Sequence, residues 1–444
     1  MRWPDNHPDR KADTMISVTQ LVSQLQNCSC GRLHQCSLSA VEIGSGVLQR
    51  SGKILVHGGF GPSLLLVCDR NTLSAAKNLP EILSAEGFSC TIHCYDNLRT
   101  ADLTEAERIA ALCESFDAVL SIGTGSLNDI CRYGAAKRGK PFAIFATAPS
   151  MDGFASAYSP LTNRNFKKNY DAAPPSVILA DTSILAAAPT ELKAAGFGDI
   201  MAKFIALADW QISSLLSNEY YCDAIASVTH SIAEHVAACA ADVSRTDAAS
   251  AGAIMEALVL TGAAMTLAGT PRPASGAEHD LSHFWEIKSL ECGQIPDYHG
   301  KTVSVATVLI NRLYHRLACV EQIVPRPENL PWSTLDTVYG SAFSAQIHEL
   351  QNPPITDSIP PRLLADRWPQ IRKILHALPS DEQMSNWMVQ AGAATVPEEI
   401  SISRSLCLAG IEWHPYMRSR ITLARILPML GVPIDFSALL RAPF

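Results

Sequence analysis

The stretch AVLSIGTGSLNDICRYGAAKRGKPFAIFATAPSMDG, residues 118–153, decides the fold. It opens on a short apolar, β-branched run that reads as a buried strand. That run passes directly into Gly123, Thr124, Gly125 and Ser126 and then into a helical stretch, and FAIFA at 142–146 reads as the next strand. Working outward, LLLVC at 64–68, CTIHCY at 90–95 and SVILA at 176–180 have the same character. Between the earlier runs lie TLSAAKNLPEILSAEG and LTEAERIAALCESF, whose apolar residues recur at helical spacing. Strand and helix alternating in this way predict a parallel sheet with helices on both faces. Beyond about Thr182 strand-like runs vanish and Ala, Leu, Met and Glu dominate, which predicts an all-α remainder. The expected organisation is an N-terminal extension over 1–27, an α/β domain over 28–183 and a helical domain over 184–444. The Pro-rich stretch Pro325 to Arg367, with PRPENLP and NPPITDSIPPR, predicts interrupted helices and an irregular excursion.

Bulk properties narrow the function classes. A chain of 444 residues exceeds the rough 100 to 200 residues of one domain. The apolar share of 47% and charged share of 18% are those of a globular protein. A net charge of −8 gives no basic footprint for nucleic acid or anionic lipid, so no nucleic-acid partner is expected. Met1 to Thr14 is polar and lacks the apolar centre of a secretion signal, which predicts a cytoplasmic protein with a mobile opening segment and Met15 as an alternative start. The longest apolar run, Ser250 to Gly269, carries Glu256 near its middle and reads as a buried helix rather than a membrane insertion. Thirteen scattered cysteines read as free thiols. Among them Cys28, Cys30, His34 and Cys36 in CSCGRLHQC are either ligands of a structural zinc or an unmetallated surface turn.

Three further motifs can carry chemistry. Glycines where a strand enters a helix let backbone approach a phosphate, and the helix N-terminus offers free N–H donors; the bland alternative is a tight turn. ATAPSMDGFASAYSP places Thr147, Ser150, Asp152 and Ser156 at the carboxyl end of a strand, where ligands of open α/β sheets sit, although an Asp-Gly turn can also be structural. AAGFGD, SGAEHDLSHFWE and DYHGK supply Asp199, His279, His283 and His299 near glycine turns. His279 and His283 are four apart, so a helix sets both rings on one face. One Asp and two His would leave a divalent cation open positions, as a Lewis-acid site requires. HDLSH shares its histidine spacing with the HExxH protease helix, but Asp280 replaces the catalytic Glu.

Together, GTGSLND, TAPSMDG, AGFGD, the EHxxSHFWE segment and YHGK resemble the sn-glycerol-1-phosphate dehydrogenase family, particularly its bacterial branch, within the glycerol dehydrogenase and dehydroquinate synthase superfamily. The likeness runs from about Cys28 to Leu313. It implies a dehydroquinate synthase-like fold in which a dinucleotide-binding domain precedes a helical metal- and substrate-binding domain. It also implies NAD or NADP, one divalent metal (zinc or nickel, with iron an option), and a homodimer or larger homo-oligomer. Gly123, Thr124, Gly125, Ser126 and Leu127 match the loop on the cofactor pyrophosphate, while Thr147, Ala148, Pro149, Ser150 and Ser156 match further cofactor contacts. Asp69 is a looser match to an adenosine contact. Asp199, His279 and His299 match the metal ligands; Asp152, Asp199 and His283 match catalytic and substrate-binding positions.

The reaction so implied is reversible reduction of dihydroxyacetone phosphate to sn-glycerol 1-phosphate, with the metal polarising the ketone. Glycerol dehydrogenase and a dehydroquinate synthase-like lyase are the alternatives, and a non-catalytic nucleotide or metal sensor is a third. Lys203, Lys301 and Arg164 are candidates for the substrate phosphate by charge and position alone.

Overall fold

A computed structural model describes residues 16–245 and 247–440. The polar opening Met1 to Thr14 and Met15 lie outside the described residues. Six parallel strands form one sheet: β1 (Ala40–Gly44), β2 (Ser63–Asp69), β3 (Ser89–Tyr95), β4 (Ala118–Gly123), β5 (Phe142–Ala146) and, last in the chain, β8 (Val177–Asp181). Between β5 and β8 an antiparallel hairpin, β6 (Tyr158–Asn163) and β7 (Phe166–Asp171), stands apart from the sheet. The sheet order is β1-β8-β5-β4-β2-β3. Strand residues alternate between two cores, as a pleat demands. Leu64, Leu66, Cys68, Leu120 and Phe145 face a core closed by the helices Val47–His57 and Leu79–Ala85. Leu65, Val67, Val119, Ile144 and Ile178 face a larger core that continues into the helical half.

From Thr182 onward the described elements are helices. Ala248–Ala268, the apolar run, is the one helix among the described residues long and apolar enough to cross a membrane, yet 83% of that window is buried inside the protein. The α/β-then-helical order matches expectation. The Pro-rich stretch has the expected interruptions but is no irregular excursion: it holds the helix Trp332–Leu350, kinked where Gly340 takes φ 66°, and the start of the helix Pro361–Leu375. Glu328, just ahead of them, is buried against Arg425 at 2.7 Å and accepts hydrogen bonds from Thr356 and Tyr416, which fastens the stretch to the C-terminal segment.

The helices Thr190–Met201 and His299–Ala318 pack through glycines. A Cβ on Gly196 would stand 2.0 Å from the Pro149 carbonyl oxygen, and one on Gly300 would stand 2.2 Å from that of Ala195 and 2.9 Å from that of Ser150. Only bare backbone lets both helices and the 147–152 loop meet. Gly196→Ala is therefore expected to lower stability by about 1–3 kcal/mol, the usual cost of overpacking, and to raise the KM for the cofactor by shifting that loop. An unchanged urea midpoint and KM would contradict this packing argument.

Candidate active site

The carboxyl ends of β2, β4 and β5 open into a cavity of about 830 Å³. Its lining includes Asp69, Thr124, Gly125, Ser126 and Leu127 on one side and Thr147, Ala148, Ser150, Asp152 and Ser156 on another. Thr124 is the N-cap of the helix Gly125–Lys137, so the N-terminal end of that helix, with its positive dipole end, borders this space. The Thr124 and Ser150 hydroxyls share a hydrogen bond of 2.8 Å that ties the two loops together. Gly123 and Pro149 do not line the cavity. Gly123 serves as the backbone of the turn, and Pro149 turns its carbonyl toward the helix Thr190–Met201. Asp69 does line it, but its carboxylate is engaged in capping the short helix Arg70–Ala75 through Thr72 at 2.9 Å.

Asp199, His279 and His299 converge although they come from three helices; one ligand atom from each lies within 4.8 Å of the others. His279 and His283 stand on the helix Ala277–Glu291, and His299 begins the helix His299–Ala318. Asp199 is fully buried behind the histidines; its Oδ1 lies 3.3 Å from His279 Nε2 and its Oδ2 accepts the Asp152 N–H at 2.9 Å. His279 Nδ1 donates to Glu278 at 2.7 Å. Glu286 takes the other two rings, accepting from His283 Nδ1 at 3.1 Å and from His299 Nδ1 at 3.0 Å. Every Nδ1 is thus held by an outer carboxylate, the usual way such groups orient metal-binding imidazoles, while Nε2 of His279 faces Asp199 Oδ1.

The charges are dense and paired. Lys203 Nζ lies 2.6 Å from Asp152 and 3.1 Å from Asp199, with no exposure. Burial alone would push the Asp199 carboxyl up, but Lys203 and the histidines hold it well below the carboxylate range. Burial would likewise lower Lys203, and the two aspartates more than offset it. Burial also disfavours the His279 imidazolium, yet hydrogen bonds to Asp199 and Glu278 lift its pKa to about 9. A cation entering here must displace that proton. His283 goes the other way: burial and the charge of Lys167 keep it neutral. For Glu286, burial is opposed by Lys167 and the two histidines, which hold it ionised.

None of the three cations expected to meet a phosphate lines the cavity. Lys203 is consumed by its aspartates, Lys301 pairs with Asp297 at 2.8 Å, and Arg164 sits in the exposed, left-handed tip of the β6–β7 hairpin. The cations that line the cavity are Lys167, on β7 and paired with Glu286 at 2.6 Å, and Arg99. Sequence reasoning missed Lys167, and with it Glu286, Glu278 and Arg132. Arg132 is buried and clamps the 153–158 backbone through the carbonyls of Gly153, Phe154 and Tyr158. Glu278 and Glu286 are the first and last residues of EHxxSHFWE itself. Asp280, in the position of the protease glutamate, instead receives Arg420 at 2.7 and 3.0 Å.

A family profile described as iron-containing alcohol dehydrogenase matches residues 42–189. The chain is similar to the glycerol-1-phosphate dehydrogenase (NAD(P)+) of Geobacillus stearothermophilus, 28% identical over 93% of this chain and 98% of that one. It is 30% identical to the Bacillus subtilis enzyme of the same name, over 82% of this chain and 84% of that one. Among solved structures it resembles a probable glycerol dehydrogenase from Sinorhizobium meliloti, with TM-score 0.60 and 16% identity over 91% of this chain and 95% of that one. It also resembles the NADH-dependent butanol dehydrogenase A of Thermotoga maritima, with TM-score 0.61 and 12% identity over 92% and 98%. The structural likenesses establish the dehydroquinate synthase-like fold. The sequence likenesses, at this identity and over most of both lengths, establish that the chain belongs to the glycerol-1-phosphate dehydrogenase (NAD(P)+) family.

Proposed function

We propose that the protein reduces dihydroxyacetone phosphate reversibly to sn-glycerol 1-phosphate with NADH or NADPH, for glycerophospholipid synthesis, using a divalent cation held by Asp199, His279 and His299. The observation that carries this reading is the meeting of those three ligand atoms beside a cavity that also contains a glycine turn at a helix N-terminus. The donors suit a borderline divalent ion: one ionised carboxylate and two imidazoles whose Nδ1 atoms are held by Glu278 and Glu286, so that Nε2 is the atom each would offer once His279 gives up its proton. When bound, the cation supplies Lewis-acid polarisation of the ketone and the nicotinamide supplies the hydride.

The chain's own residues do the positioning. Glu278 and Glu286 fix the tautomer and orientation of the rings. His283, kept neutral with its Nδ1 proton on Glu286, presents Nε2 as an acceptor for a substrate hydroxyl. Asp152, anchored by Lys203 and lining the cavity, holds a second hydroxyl. Lys167 offers the positive charge for the substrate phosphate, and the N–H groups of the Gly125–Lys137 helix face the cofactor pyrophosphate.

Oxidation of NADH and NADPH, followed optically with dihydroxyacetone phosphate, tests the reading. Turnover should disappear on chelation, return with added divalent metal, and yield the sn-1 enantiomer by chiral analysis. The unphosphorylated ketone should be turned over at least about tenfold less efficiently, since one lost charged hydrogen bond is worth roughly 1.5–3 kcal/mol. Equal efficiency with both ketones would transfer the protein to glycerol dehydrogenase chemistry.

A further inference from the structure

We propose a second metal site, a closed zinc centre made by Cys28, Cys30, His34 and Cys222, whose four ligands differ from those of the dehydrogenase centre. The first three lie in the turn that follows the helix Val18–Leu25; the fourth immediately precedes the helix Asp223–Ala238. Cys222 is 194 residues beyond Cys28, so no local spacing connects it to CSCGRLHQC. Cys36, the fourth cysteine or histidine within that motif, is not in the cluster.

The distances are close to those of a tetrahedron, two of three edges falling in its range and the third a few tenths of an ångström below it. Zn–S bonds of about 2.3 Å and Zn–N bonds of about 2.0–2.1 Å imply ligand-to-ligand edges of roughly 3.5–3.8 Å. Cys28 Sγ and Cys222 Sγ are 3.5 Å apart, Cys222 Sγ and His34 Nε2 3.8 Å, and Cys30 Sγ and His34 Nε2 3.1 Å, with all four ligand atoms within 4.8 Å of one another. The two sulfurs are too far apart for a disulfide, which needs about 2.05 Å. His34 is 5% exposed, and its Nδ1 donates to the Leu267 carbonyl at 2.7 Å. A carbonyl only accepts, so Nδ1 carries the proton and the Nε2 lone pair points into the cluster. The Tyr220 hydroxyl lies 3.5 Å from Cys30 Sγ, and the Arg32 guanidinium sits 3.6 Å from the centre of the Tyr220 ring, next to a centre whose three thiolates would outweigh the ion by one charge.

Four protein ligands leave no open position, so the site is structural rather than catalytic. It ties the N-terminal turn to two helices of the helical half. Leu267, which receives His34, is two residues from Met265 in the cavity wall.

Cobalt substitution of the full-length, reduced protein tests this, because only a thiolate centre gives a sulfur-to-cobalt charge-transfer band. In His279→Ala, which removes a ligand of the other centre, the band should saturate at one equivalent; it should persist in Cys36→Ser and lose at least a third of its intensity in Cys222→Ser and in Cys30→Ser. The Cys30 variant is the safer of the last two, since Cys222 is buried and Cys30 is only partly so. Failure of the wild-type protein to develop the band, with these thiols titrating as free, overturns the site. So does a Cys28–Cys222 disulfide found by mass spectrometry in protein prepared without reductant.

Discussion

His279→Ala is expected to lose the catalytic cation and to cut kcat/KM for dihydroxyacetone phosphate by at least about a thousandfold, the upper range for removing one transition-state donor. The ring has two jobs that no neighbour can take over. Its Nε2 faces Asp199 at 3.3 Å and its Nδ1 satisfies Glu278, a fully buried carboxylate, at 2.7 Å. Truncation leaves a two-ligand remnant and a buried acid with the Gly276 N–H as its remaining partner, at a stability cost of about 1–3 kcal/mol. The helix Ala277–Glu291 keeps its packing through Leu281, Phe284 and Trp285, so circular dichroism should report a folded protein. Metal analysis beside kinetics decides the matter: a folded, metal-free variant with undiminished turnover would end the proposed mechanism.

Lys203→Met should be the most destabilising single change at the site. Lys203 pairs with both Asp152 and Asp199, at 2.6 and 3.1 Å, and it also donates to the Ala274 carbonyl. Breaking a buried pair by removing one partner costs about 3–5 kcal/mol, because the remaining charge stays out of water. Two features separate this from ordinary core damage. Added zinc should restore part of the loss, since a dication at Asp199 compensates the missing ammonium. The deficit should also shrink on acidification. Asp199 has its folded pKa depressed in the wild type, so its contribution is present above the unfolded value of about 3.9 and fades as pH falls below it; the variant has less of it to lose. Denaturant titrations at several pH values, with zinc and with chelator, would show both effects. A deficit independent of metal and of pH would mean that packing, not charge, is what Lys203 contributes.

Much of this was legible in the residues, for reasons that can be named. β2, β4, β5 and β8 are buried on both faces and therefore stand out as apolar runs. β1 did not, because AVEIG is a half-buried edge strand interrupted by Glu42. The hairpin hid for a different reason: YSPLTN and FKKNYD are polar, and their turn uses Arg164 and Asn165 at positive φ instead of an Asn-Gly pair. The ligand histidines were conspicuous as unusual residues beside glycines. The acids that orient them looked like ordinary helix charges, and only their geometry separates them from solvated ones. Lys167 belongs to the same class, a cation in a polar strand until the fold turns it toward Glu286 at 2.6 Å. Cys222 shows the limit of spacing arguments: the nearer Cys36 looked the better partner, and chain folding chose the distant one.

The β6–β7 hairpin has an evolutionary implication. It hydrogen-bonds to no strand of the main sheet and contributes none of the three convergent ligand atoms, yet it carries Lys167, Asn169 and Thr162 into the cavity wall. On the proposed function, recognition of the substrate's tail could therefore drift, or be redesigned by grafting another ribbon, while the machinery for hydride exchange is inherited intact, provided that a cation stays at position 167 to pair with Glu286.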